Sequence, residues 1–187
     1  MSSGGSTPAP DFPCTEHTAG RGPFLRTARD CIGVRFACEM GASLLAGVWN
    51  LLVLEFRSDG QVVYPTGRDA AGMCLYDATG QMSLQIMRVD RPRFAAEDML
   101  GGTPEEVDAA AKGYIAYGGT YVEDAENGVV VHHVTHSLFP NWVGKDLVRF
   151  FKRTGDRLII SAPTVVVGGH LMDAMLIWER LGDVKRH

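Results

Sequence analysis

A chain of 187 residues and 20.3 kDa is the size of one domain, and surface scaling for that mass implies that about 70% of the surface is buried on folding. Hydrophobic residues make up 45% and charged residues 21%, with a mean hydropathy of −0.01, a composition that excludes disordered, collagen-like, coiled-coil and membrane-spanning classes. A net charge of −4 and an isoelectric point near 5.8 argue against nucleic acid or an anionic membrane as partner, because both call for a basic patch.

Residues 1–42 open with Ser2-Ser3-Gly4-Gly5-Ser6, carry Pro8, Pro10, Pro13 and Pro23 and show no sustained period, so they are expected to form an irregular, flexible arm ahead of one domain at 43–187. No apolar run of a secretory signal is present there, and Cys14, Cys31, Cys38 and Cys74 have no paired C-x-x-C spacing. They are expected to be reduced thiols in a cytoplasmic protein.

From Leu44 onward short apolar runs alternate with turn residues, the mark of an antiparallel all-β barrel or sheet of eight to ten strands. Gly47 to Arg57 ends at Ser58-Asp59-Gly60 and returns through Gln61 to Tyr64. Ala71 to Tyr76 and Gln81 to Arg88 flank Asp77-Ala78-Thr79-Gly80, and Gly118 to Glu123 and Val129 to Leu138 flank Asn127-Gly128. Asp146 to Arg153, Arg157 to Ala162 and Leu171 to Leu181 complete the set. One helix interrupts the series, with Thr103 as N-cap, Pro104 in the first turn and Glu106 closing a capping box. Val107, Ala110, Ala111, Tyr114 and Ile115 follow at helical spacing and predict an apolar stripe that covers or plugs one end of the barrel.

Gly47-Val48-Trp49 is similar to the G-x-W signature of lipocalins, in which the tryptophan packs at the closed end beside an arginine of the last strand; Trp178-Glu179-Arg180 offers that arginine. Together with Tyr64-Pro65-Thr66-Gly67, Gly113-Tyr114, Tyr117-Gly118-Gly119-Thr120-Tyr121, Val131-His132-His133-Val134 and the run from Ser137 to Gly144, the chain resembles the bacterial and fungal lipocalin-like domain family over about Leu44 to Leu181. The resemblance implies an up-and-down barrel with a central cavity. Some lipocalin-like barrels of biosynthetic pathways act without a cofactor as cyclases or isomerases, and this too is an implication of the resemblance.

Alternate side chains of a strand share a face, so an inward Trp49 predicts Leu51, Val53 and Glu55 inward, and an inward Trp178 predicts Leu176, Ala174 and Met172 with it. Glu55 is then a desolvated candidate acid or base. Adjacent His132 and His133 point to opposite faces, and whichever faces inward is a candidate base or ligand donor. His132 and His136 lie about 13 Å apart along the strand, too far to share a metal, and no metal is expected. His136 and His170 are read as surface or rim residues. Arg149 either spans the lumen between Leu147 and Phe151 or is exposed while Val148 and Phe150 face in. Tyr117 and Tyr121 share a face and offer phenols, as would Gln85 or Ser83 if their side is inward. Tyr114, Asn141 and Trp142 are further candidate ligand contacts.

No nucleotide or phosphate motif and no G-x-S-x-G or H-E-x-x-H signature occurs, so no cofactor is expected. The leading expectation is a cofactor-independent cyclase or isomerase acting on a hydrophobic, polyketide-like molecule, with His132 or His133, Glu55, Tyr121 or Arg149 moving a proton or stabilising an enolate. The alternatives are a non-catalytic binding or carrier protein and a module whose lumen is filled by side chains. A homodimer through the barrel wall or the helix fits the pattern without being required by it.

Overall fold

Alternating apolar runs become nine antiparallel strands in the computed structural model, which describes residues 43–58 and 60–182. The expected N-terminal arm, with Cys14, Cys31 and Cys38, lies outside these residues, as does Asp59 of the first expected turn. The strands are β1 (Gly47–Ser58), β2 (Gln61–Val63), β3 (Ala71–Tyr76), β4 (Gln81–Met87), β5 (Tyr114–Asp124), β6 (Val129–Ser137), β7 (Asp146–Thr154), β8 (Arg157–Val167) and β9 (His170–Arg180). Each of β4 to β9 pairs with its predecessor, β1 pairs with β3, and β9 returns to pair with β1. Eight strands therefore close into an up-and-down barrel, while β2 pairs only with the far end of β1, at Phe56 to Ser58.

One helix, α1 (Pro104–Lys112), joins β4 to β5. Its start is the expected capping box: the Glu106 N–H donates to Thr103 Oγ1 at 3.3 Å and the Thr103 N–H donates to Glu106 Oε2 at 2.8 Å. Its end is not where the stripe predicts. Gly113 closes the last turn by donating its N–H to the Ala109 carbonyl at 3.0 Å, and Tyr114 and Ile115 already belong to β5. The helix buries none of its residues and Val107 is half exposed, so the expected plug or lid is absent among the described residues. Nine residues capped at both ends form a connector.

Three irregularities in strand register decide what faces inward. Leu51 pairs with Trp178 and Val53 with Ile177, so Leu52 is an extra residue in β1. Gly118 pairs with His136 and Gly119 with Val134, so Thr135 is an extra residue in β6. A third shift, between Ala162 and Val165, bends β8, and Thr164 there has φ 60°. An inserted residue reverses the alternation of every side chain beyond it.

The closed end is packed solid. Leu45, Trp49, Cys74, Val130, Leu158 and Trp178 are fully buried there and in the layers just above. The Trp49 indole N–H donates to the Leu45 carbonyl at 2.8 Å, and the guanidinium groups of Arg180 and Arg153 lie 5.7 and 5.5 Å from its ring centroid. Gly47 makes room for this arrangement, since a Cβ there would stand 3.2 Å from Arg180 Nη2. The tryptophan and arginine of the sequence signature thus meet.

Candidate functional site

Above the packed layer a cavity of about 60 Å³ remains. Its walls are Leu54 and Phe56 of β1, Leu84 and Ile86 of β4, Ile115 and Tyr117 of β5, Arg149 of β7, Ala162 and Val165 of β8, and Ala174 and Leu176 of β9. Trp142, on a 3-10 helix (Pro140–Trp142) between β6 and β7, caps the hollow at the wide end, its ring edge-on to Tyr117 at 5.4 Å and to Phe139 at 5.5 Å. A larger hollow of about 270 Å³ lies open on the outer wall along Ser83, Gln85, Ala116, His136, Ser137 and Leu138. The interior one has the apolar walls and converging polar groups of a ligand site.

Those polar groups form a chain running up the inside of the barrel. The Tyr76 hydroxyl lies 2.8 Å from His132 Nε2, and the Tyr117 hydroxyl lies 3.0 Å from His132 Nδ1. A neutral imidazole has one N–H and one lone pair, so one tyrosine donates to the ring and the other accepts from it. Burial, aided by the Arg149 cation and by His133, pushes the His132 pKa down from 6.5 to about 3. Burial also pushes Tyr117 up to about 12 against the opposing pull of Arg149, raises Cys74 to about 12 and carries Tyr76 well above its ordinary value. At neutral pH the whole chain is uncharged, and Arg149 is the one charged residue on the cavity wall.

The structure answers the open choices of the sequence. His132 faces inward and is almost fully buried; His133 faces outward and its Nδ1 lies 2.6 Å from Asp146 Oδ1 across the β6–β7 ladder. It cannot be the interior base. Arg149 points inward beside Leu147 and Phe151, while Val148 and Phe150 are exposed. Leu176 lines the cavity, Trp178 closes the layer beneath it and Met172 packs on the core towards the wide end. The Trp178 indole N–H is buried without an acceptor among the described residues. Tyr121 faces inward too, but below the cavity, where its hydroxyl donates to the Asp77 carbonyl at 2.9 Å and its ring meets Tyr76 edge-on. It is built into the closed end.

Other candidates leave the site. Because Leu52 is inserted in β1, Leu54 and Phe56 take the inward positions expected for Val53 and Glu55. Glu55 sits on the outer side, ion-paired with Arg57 two residues along the same face. Glu55→Gln is therefore expected to leave ligand affinity unchanged, which titration of the purified variant checks. Gln85 and Ser83 also face outward because Met82, Leu84 and Ile86 fill the inside of β4, and the Tyr114 hydroxyl donates to Gln85 Oε1 at 3.3 Å on that outer face. Asn141 is exposed, as are His136 and His170. Tyr76, Leu54, Phe56 and Ile115 belong to the interior and were not anticipated; only Tyr76, two residues from Cys74 on one face of β3, carried a sequence signal.

Among the described residues no group of three or more His, Cys, Asp or Glu converges as metal ligands do, and no helix is long and apolar enough to cross a membrane. A closed eight-stranded meander with an arginine-flanked tryptophan at its narrow end and a lined hollow above it is a barrel of the lipocalin type. The chain belongs to the lipocalin-like domain family, whose model matches residues 46–181. It is 34% identical over 107 residues to a 4'-hydroxy-3'-methoxypropiophenone carrier protein of Aspergillus oryzae, an alignment covering 54% of this chain and 96% of that protein. No solved structure matches the chain.

Proposed function

We propose that the barrel binds a small, largely aromatic molecule in its interior cavity and carries it without transforming it. The observation that carries this reading is geometric: both ring nitrogens of His132 are already engaged, by Tyr76 and by Tyr117, and burial pushes the imidazole down to about 3 and Tyr117 up to about 12, away from the neutral range in which an efficient general acid or base works. The likeness to a protein named as carrier of an aryl ketone supports the same reading. Cys74, a buried free thiol, suits a reducing compartment such as the cytoplasm. The cyclase or isomerase of polyketide-like metabolism is the second reading, favoured by the convergence of Tyr117 and Arg149, a pair that would stabilise an enolate oxygen.

A hollow of about 60 Å³ holds about two waters and not an arene. Entry of a ligand therefore requires the Trp142 cap to move, and Trp142 reports on it, since Trp49 and Trp178 are fully buried. Titration with para-hydroxyacetophenone is expected to change Trp142 fluorescence at one ligand per chain, with the change lost in Trp142→Phe. Mass spectrometry should then recover the ligand unaltered after prolonged incubation. Turnover that disappears in His132→Gln or Arg149→Met would replace the carrier reading with the enzymatic one.

A further inference from the structure

We infer that Arg149 and Tyr117 form a receptor for an oxyanion, so that the barrel selects an arene whose hydroxyl is acidified by a conjugated carbonyl and holds it as the phenolate. This rests on the binding reading above and adds to it the anchoring atoms and the charge of the ligand. Arg149 is the sole charged residue on an otherwise apolar wall, and no carboxylate pairs with it among the described residues; its guanidinium donates from Nη1 to the Val148 carbonyl at 2.9 Å, which leaves further N–H groups for the cavity. An unneutralised cation beside a low-dielectric hollow favours a negative partner.

One of the two His132 tautomers completes the receptor. When Tyr76 donates to His132 Nε2, the His132 Nδ1–H donates to the Tyr117 oxygen, and the hydroxyl proton of Tyr117 is free to turn towards an acceptor in the cavity. The titratable groups on the cavity wall are Tyr117 from β5 and Arg149 from β7, with Cys74 and Tyr76 from β3 and His132 from β6 buried behind them. None is negative at neutral pH, and β1, β4, β8 and β9 contribute apolar side chains to the wall. The site offers donors and positive charge to an oxygen that has lone pairs and no proton. On binding, the ligand O–H bond breaks, its proton passes to bulk water and no protein group changes charge. A carbonyl conjugated through the ring lowers the cost of that loss by spreading the charge.

The test compares para-hydroxyacetophenone with its methyl ether, para-methoxyacetophenone, which has no proton to lose. At a pH below the free phenol's own pKa, the bound hydroxy probe is expected to show the red-shifted phenolate absorption, its pKa lowered by about 1 to 3 in the complex. Arg149→Met is expected to abolish that band and to reduce the ratio of hydroxy to ether affinity by about 10- to 100-fold, while Arg149→Lys keeps the band. A neutral-phenol spectrum in the wild-type complex, or an affinity ratio unmoved by Arg149→Met, overturns the oxyanion receptor and leaves the carrier reading standing. Failure of both probes to bind the wild type overturns both. If Arg149→Met does not fold, the wild-type spectrum and Arg149→Lys decide the matter.

Discussion

Between pH 6.5 and about 3 the barrel is expected to lose stability at up to about 1.4 kcal/mol per pH unit because of His132 alone. The imidazole titrates near 6.5 in the unfolded chain and near 3 in the folded one, so across this window the unfolded state binds the extra proton. Stability is therefore full above 6.5, declines as the pH falls, and levels off for this group below about 3. The cause is structural: a charged ring at this position is buried away from bulk solvent, has Arg149 nearby, and must give up its role as acceptor towards one tyrosine. Exposed carboxylates such as Asp77 and Asp90, whose pKa values are lowered by hydrogen bonds from Thr79 and Arg88, add acid sensitivity lower in the range. His132→Gln separates the two contributions, since glutamine retains a donor and an acceptor but does not titrate. The variant should be less stable at pH 7 by about 1 to 3 kcal/mol, with a clearly flatter slope between pH 6.5 and 4.5, measured by urea unfolding across about that range. Equal slopes for variant and wild type would mean that His132 is protonated in the folded protein.

What the sequence makes legible here is periodicity and turn chemistry, and what it hides is single inserted residues. β3, β4 and β7 fall within a residue of their expected limits because Gly and Asp turns bound them, and the capping box locates the start of α1. Trp49 meets Arg180 because both stand where the sheet must close. Glu55 was expected inside because strict alternation from Trp49 places it there; the extra Leu52 lies within an unbroken run from Leu51 to Leu54, where nothing distinguishes an inward leucine from an inserted one. His132 and His133 were indistinguishable for a related reason, as Val130 and Val131 make both faces of β6 apolar. The inward position of Tyr76 is only weakly signalled, by its sharing a face with Cys74, because Met73 and Leu75 on the other face are equally apolar yet exposed. Tyr114 was assigned to the helix by a stripe that runs straight through the glycine ending it.

The bulge at Thr135 sets the second large effect, at Gly119. A Cβ there would lie 2.1 Å from the His133 carbonyl oxygen and 2.9 Å from the Thr135 nitrogen, both backbone atoms of the bulged strand. No rotamer change relieves such a clash, so β6 must separate from β5 at the point where Thr135 is inserted. Gly118 makes an informative contrast: its Cβ would meet the far end of the exposed His136 side chain at 2.5 Å, which can swing aside, although the Met82 carbonyl at 3.0 Å limits the relief. Gly119→Ala is expected to cost about 3 kcal/mol or more, a fall in melting temperature of roughly 10 °C for a domain of this size, and Gly118→Ala distinctly less. The damage also reaches the site, because Gly119 lies between Tyr117 and Tyr121 and pairs with Val134, two residues from His132. Separation of the strands there pulls the Tyr117 hydroxyl away from His132 Nδ1, so whatever Gly119→Ala protein folds should show altered imidazole nitrogen shifts and weakened binding of para-hydroxyacetophenone. A Gly119→Ala protein that melts within a degree or two of the wild type and keeps its His132 signals would show that the close approach at the bulge does not hold Tyr117 and His132 together.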